Sequence, residues 1–193
     1  MSADGLPRLT LEQVEPALRD ELAPTVARLG YFGEFFQVFG AVPGAMQTFM
    51  SYTKSVKAPL SDAENELLAL AVCAALGDNY ERIQHERLSA RLGFTTEWIA
   101  AAEGRAGADA NLLSPAETAL RALALAVIAR HGRDCAAEVA AAGAELGTQK
   151  ATAALLQITR FITIATLCNS LSLSLPVPSV FDATSDITTS PAK

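Results

Sequence analysis

Four side chains within one short stretch have the types and spacing for proton transfer: Glu66, Asp78, Glu81 and His85. At about 100° per residue, Asp78, Glu81 and His85 fall within an arc of about 60° on one helix face, so their side chains can meet. If the chain turns back at Gly77-Asp78, the helix bearing Glu66 pairs antiparallel with the next one and brings Glu66 toward His85. Two carboxylates around an imidazole stabilise imidazolium, fix its tautomer and tune its pKa, as a general acid/base requires. Activity at such a site is expected to titrate between about pH 5 and 8, where histidine ordinarily changes charge. Each residue also has a purely structural role open to it. Asp78 can be a helix N-cap, Glu81 its reciprocal capping-box partner, and His85 a solvated or hydrogen-bonded imidazole.

The elements that must position these residues read as helices. Thr10-Leu11-Glu12-Gln13 is a capping-box pattern that predicts a helix to about Leu29. Gly30 to Gly44 is punctuated by glycine and rich in phenylalanine (Phe32, Phe35, Phe36, Phe39), which suggests a short helix lining a pocket or a subunit contact. A helix from about Ala45 to Lys57 should end at Pro59. Ser61-Asp62-Ala63-Glu64 is a second capping box, and the apolar run ELLALAVCAAL after it has the character of a central helix stopping at Gly77. Asp78 should cap a helix to Leu92, and Thr95 or Thr96 a short one to Glu103. Gly104 to Asn111 reads as a loop. Ser114-Pro115-Ala116-Glu117 opens a helix to about Arg130, and helices over 133–146 and 148–175 follow, the last one ended by Pro176 and Pro178. LSDAENELLALAV and LSPAETALRALALAV, 53 residues apart, suggest two related helical hairpins.

Composition agrees with an all-α protein. Of the 193 residues 50% are hydrophobic and only 6% aromatic, a balance that favours close-packed helices over sheets. The expected organisation is one domain over 1–181 followed by a mobile tail over 182–193 rich in serine and threonine. A net charge of −6 without a dense basic run excludes nucleic acid as a partner. The N-terminus has no basic region followed by an apolar one, and the most apolar stretch, Phe161 to Leu175, is shorter than the roughly 20 residues needed to span a bilayer. No membrane partner and a cytoplasmic location are therefore expected. Cys73, Cys135 and Cys168 are odd in number and widely spaced, so they give neither a disulfide framework nor a metal site.

The spacing around His85 resembles the carboxymuconolactone decarboxylase and AhpD-like family. AhpD-like proteins carry a glutamate, a Cys-x-x-Cys pair twelve residues on, and a histidine four residues after the second cysteine. Here Glu66 takes the glutamate position and His85 the histidine position, while Asp78 and Glu81 occupy the two cysteine positions. Tyr80-Glu81 before His85 also resembles the Tyr-Glu-Trp-x-x-x-His form of the decarboxylase branch, with Arg82 replacing the tryptophan. The segments LSDAENELLALAV and ARLGFTTEWIAA, and the last helix with Asn169 before LSLSLPVP, are similar to family counterparts, so the likeness runs over about residues 20 to 180. It is specific only from Glu66 to Gly93.

The resemblance implies an AhpD-like helical bundle that assembles as a dimer, trimer or hexamer, with Tyr80 and Asn169 as substrate-binding residues beside catalytic His85, Glu81, Glu66 and Asp78. The expected activity is cofactor-free, metal-free proton transfer on a small organic acid or lactone: decarboxylation, isomerisation or related lyase chemistry. Thiol peroxidase activity of the AhpD kind is the second reading, disfavoured because it needs a low-pKa thiolate and a resolving thiol. Cys73 precedes Asp78 by five residues and would point about 140° away from that face. A non-catalytic oligomeric ligand-binding protein is the third.

Overall fold

The computed structural model describes residues 4–182, and among these it contains nine α-helices and no strand. They are α1 (Pro16–Leu29), α2 (Glu34–Phe39), α3 (Pro43–Lys57), α4 (Asp62–Leu76), α5 (Asn79–Arg91), α6 (Thr96–Glu103), α7 (Pro115–Ala129), α8 (Ala136–Leu146) and α9 (Thr148–Ser170).

Local chemistry explains most boundaries. Ser61 and Ser114 close full capping boxes with Glu64 and Glu117, giving α4 and α7 the same start. Three sequence-derived bounds need correction. Thr10 opens only a single 3-10 turn, Leu11–Gln13, because Pro16 lacks an N–H and holds Glu15 in extended backbone. The first helix starts afresh at Pro16, with the Glu15 carboxylate accepting from Leu18 N–H. Helix α8 begins at Ala136, since Asp134 takes a φ of 52° that no helix accommodates. Helix α9 stops at Ser170, where Ser172 turns to a φ of 50° and Leu173 N–H bonds back to Cys168 O at 3.0 Å. Pro176 and Pro178 lie beyond that stop.

Helix α4 is apolar on most sides, and its residues from Glu64 to Cys73 are all buried. It packs against α5, α6, α7 and α9. Two apolar clusters result. The larger joins α4, α6, α7, α8 and the first half of α9. The smaller gathers Leu18, Leu22, Phe35, Val38, Met46 and Tyr80 around Ile164 and Cys168 of the second half of α9. That helix therefore runs through both.

Helix α9 also corrects the membrane argument. At 23 residues it is long and apolar enough to cross a bilayer by length and composition. More than half of its most apolar stretch is nevertheless buried inside the bundle, and it brings Gln157 and Arg160 into that interior. It is a core helix.

After α9 the chain returns to α5. Glu86, fully buried, accepts from Arg82, from Arg105, from Ser179 Oγ and from Val180 N–H at 3.1 Å, and so clasps the C-terminal segment. Asp182 is the last described residue. The rest of the expected mobile tail, 183–193, lies outside the described residues.

Candidate active site

A cavity of about 390 Å³ lies between the two apolar clusters, with α1, α2 and α3 on one side and α4, α5 and α9 on the other. Glu66, Tyr80, Glu81 and His85 line it. Asp78 and Asn169 do not.

The turn at Gly77, φ 66°, reverses the chain and lays α5 against α4. His85 Nδ1 then lies 2.7 Å from Glu66 Oε2. A carboxylate oxygen can only accept, so Nδ1 carries the hydrogen and the ring orientation is fixed. Glu66 is 1% exposed and takes a second, weaker bond from Ser89 Oγ at 3.4 Å. His85 Nε2 sits 3.7 Å from Glu81 Oε2, and the edge of the ring meets Phe161 with centroids 5.2 Å apart. Burial alone would lower the imidazole pKa, but the Glu66 and Glu81 carboxylates outweigh it and raise it to about 9. This moves the titration of His85 upward from the range expected from its ordinary value and favours imidazolium near neutrality.

Glu81 is free to act on His85 because it is not a capping-box residue. The amide that such a box would engage, Asp78 N–H, instead donates to Cys73 O at 2.9 Å, closing the end of α4. Asp78 itself is the N-cap of α5, its Oδ1 accepting from Tyr80 N–H at 3.0 Å and Glu81 N–H at 3.3 Å. Its other oxygen is buried without a partner, and burial, reinforced by Glu81, raises its pKa to about 6. Asp78 thus supports the site from beneath rather than facing the cavity.

Of the two residues expected to bind substrate, Tyr80 reaches the cavity wall, but its hydroxyl is engaged, accepting from Phe35 N–H at 3.1 Å and tying α2 to α5. This needs glycine at position 33, where a Cβ would stand 2.7 Å from that hydroxyl. Asn169 is exposed and donates to Leu76 O at 3.0 Å, capping the end of α4 away from the cavity. It lies outside the lining of the cavity.

The structure adds residues that helical spacing did not single out. Asn65 Oδ1 accepts from Gln157 Nε2 at 3.0 Å, Gln157 Oε1 accepts from Arg160 Nε at 2.9 Å, and the guanidinium stacks on Phe161, its carbon 3.9 Å from the ring centre. All three polar residues line the cavity. The available signal was the pair of polar residues at i and i+3 inside an apolar helix. Among the described residues no three His, Cys, Asp or Glu side chains converge as a metal site would require.

Residues 43–126 match the family model of the carboxymuconolactone decarboxylase family. No curated protein shows significant sequence similarity to the chain. In fold it is similar to a crystal structure with an alkylhydroperoxidase AhpD core, an uncharacterised peroxidase-related protein from Ralstonia eutropha JMP134, at 16% identity and a TM-score of 0.76 over 87% of this chain and 90% of that one. It is also similar to a protein of unknown function from Agrobacterium tumefaciens, named for AhpD and antioxidant defence, at 16% identity and a TM-score of 0.62 over 72% and 96% of the two chains. At such identities the likeness speaks for the fold alone. The segment that runs from α3 through Glu66, Glu81 and His85 into α7 is thus similar to the carboxymuconolactone decarboxylase family, carried on an AhpD-like helical fold.

Proposed function

We propose that the chain is an enzyme that moves protons on a small organic acid or lactone, with His85 as the acid/base group and Glu66 and Glu81 tuning and orienting it. The observation that carries this reading is the 2.7 Å contact between His85 Nδ1 and a buried Glu66 carboxylate, which leaves Nε2 for the cavity and for Glu81. An imidazolium fixed on one nitrogen by a carboxylate delivers its other proton in a defined direction. In a decarboxylation, the carbon–carbon bond to the leaving carboxylate breaks and its electron pair passes into an enolate as carbon dioxide departs. His85 Nε2 gives its proton to the enolate carbon, and the neutral imidazole recovers a proton from water. Isomerisation uses the same nitrogen first as base and then as acid. The location proposed is the cytoplasm, where three free thiols stay reduced.

The AhpD-type peroxidase reading finds less support. Burial raises the Cys73 and Cys168 thiols, the reverse of what a peroxide-reducing thiolate needs, and Cys135 is buried too. A role in binding alone is less supported as well, because His85 borders the cavity instead of being sealed in packing. The deciding experiment is a turnover screen over small organic acids and lactones. On any substrate found, His85→Gln is expected to lower turnover by about a hundredfold or more with the helical spectrum intact. Wild-type turnover in that variant would mean the constellation is structural.

A further inference from the structure

Arg160 is the buried cation of the cavity. It is 6% exposed, yet among the described residues it forms no ion pair with a carboxylate. Its Nε is spent on Gln157, and one face of its guanidinium lies on Phe161, but among the described residues neither Nη group has a hydrogen-bond partner. Glu81, Glu66, Tyr52 and Cys73 act on it only at longer range. These Nη groups are not sealed in the protein but open on the cavity, where an anion can be received by a cation that its surroundings only partly solvate. It is also held in place, because Gln157 is locked by Asn65, and Asn65 Nδ2 in turn donates to the carbonyls of Lys57, Leu60 and Ser61. The planar fork of N–H donors suits a carboxylate.

We infer that Arg160 is the anion anchor of this cavity and that its ligand is a monocarboxylate with a compact apolar body, aryl or branched alkyl. Within the wall Glu66 is paired with the His85 imidazolium, so Arg160 is the inner cation left for a ligand, while Glu81 repels a second negative charge placed near it. Apolar side chains, Phe36, Phe49, Met50 and Leu88 among them, line much of the rest of the cavity. Exposed Lys54 and Lys57 at the rim draw anions inward. A polycarboxylate, a neutral lactone and a hydroperoxide each fail one of these conditions. This assignment rests on the cavity being the reactive site proposed above, but it concerns binding and does not depend on turnover.

The test is calorimetric titration of the full chain with benzoate, benzamide and succinate. Benzoate is expected to bind in the millimolar range or tighter, about tenfold or more tightly than either of the others. Arg160→Met is expected to weaken benzoate by about tenfold or more while leaving benzamide unchanged, with folding checked by circular dichroism and melting. His85→Gln is expected to weaken benzoate less than Arg160→Met does, so an inert His85 and a misassigned anchor give different patterns. Absence of benzoate binding to the wild-type chain, equal affinity for benzamide or succinate, or undiminished benzoate binding by Arg160→Met overturns the inference. Should Arg160→Met not fold, the comparison of the three ligands on the wild-type chain still decides it.

Discussion

His85 is held in its charged form by two carboxylates of unequal standing, one buried at 2.7 Å and one at 3.7 Å, and this sets the pH dependence to be expected. If imidazolium is the proton donor, turnover should stay level from about pH 6 to 8 and fall as pH rises through about 9, where the proton is lost. Glu66→Gln removes a carboxylate that raises this pKa, so the falling limb should move to lower pH and the rate should drop less than in His85→Gln. A pH–rate profile whose limb does not move would sink the role given to Glu66. Stability carries the same sign. The pKa lies above the ordinary 6.5 in the folded chain, so the stabilising charge pair is complete below about 6.5 and is lost as pH rises through about 9. The melting temperature should therefore decline from pH 7 to 10 more steeply in the wild type than in His85→Gln. Of these residues, Glu66, Glu81 and His85 were legible from spacing, because helical periodicity and one turn suffice to bring them together. Arg160 was not legible, because only the packing of α9 on α4 shows which neighbours it has and which it lacks.

Helix ends do much of the positioning, and they separate two meanings of Asp78. Its cap bonds to Tyr80 and Glu81 amides set the first turn of α5 and hence the aim of Glu81. Asp78→Ala is expected to cost about 1 kcal/mol in chemical denaturation, the usual loss for a missing N-cap, whereas Asp78→Asn keeps a capping oxygen and should be close to neutral. If Asp78 is a cap and nothing more, Asp78→Asn also retains turnover; loss of activity in that folded variant would return it to the chemistry. Tyr80 permits a parallel test. Tyr80→Phe leaves the buried Phe35 N–H unpaired, at a cost of about 1–3 kcal/mol, and loosens α2 over the cavity. Caps were readable from residue type, since serine, aspartate and threonine act locally. The early stop of α9 was less so, because it depends on where the Leu173 amide finds its acceptor, whereas the break before Pro16 follows from the proline itself.

For the molecule as a whole, the outer face formed by α3 and the second half of α9 is more apolar than an isolated subunit needs. Val42, 62% exposed, lines a shallow apolar groove with Phe39, Met46, Phe49 and Leu167, and Leu156, 44% exposed, lies further back along α9. Around this groove α9 presents threonines, Thr159, Thr163 and Thr166, whose hydroxyls are bonded to their own helix at 2.9, 3.0 and 2.7 Å. Their polar groups are thus already satisfied, and the helix shows a neighbour mostly methyl groups. Contiguous apolar surface of this kind marks an association site more often than a free one. A second copy of the chain is the occupant proposed, in keeping with the oligomers that the family resemblance implies. Light scattering at micromolar concentration is expected to show a species larger than 20.3 kDa, and Val42→Glu with Leu156→Glu should shift it toward 20.3 kDa without loss of helical signal. The groove shares Phe35 and Phe49 with the cavity that holds His85, so the dissociated variant should also bind ligand more weakly as those rings loosen. A wild-type chain that scatters as 20.3 kDa at these concentrations would remove the interface, and with it any contribution of assembly to the shape of the cavity.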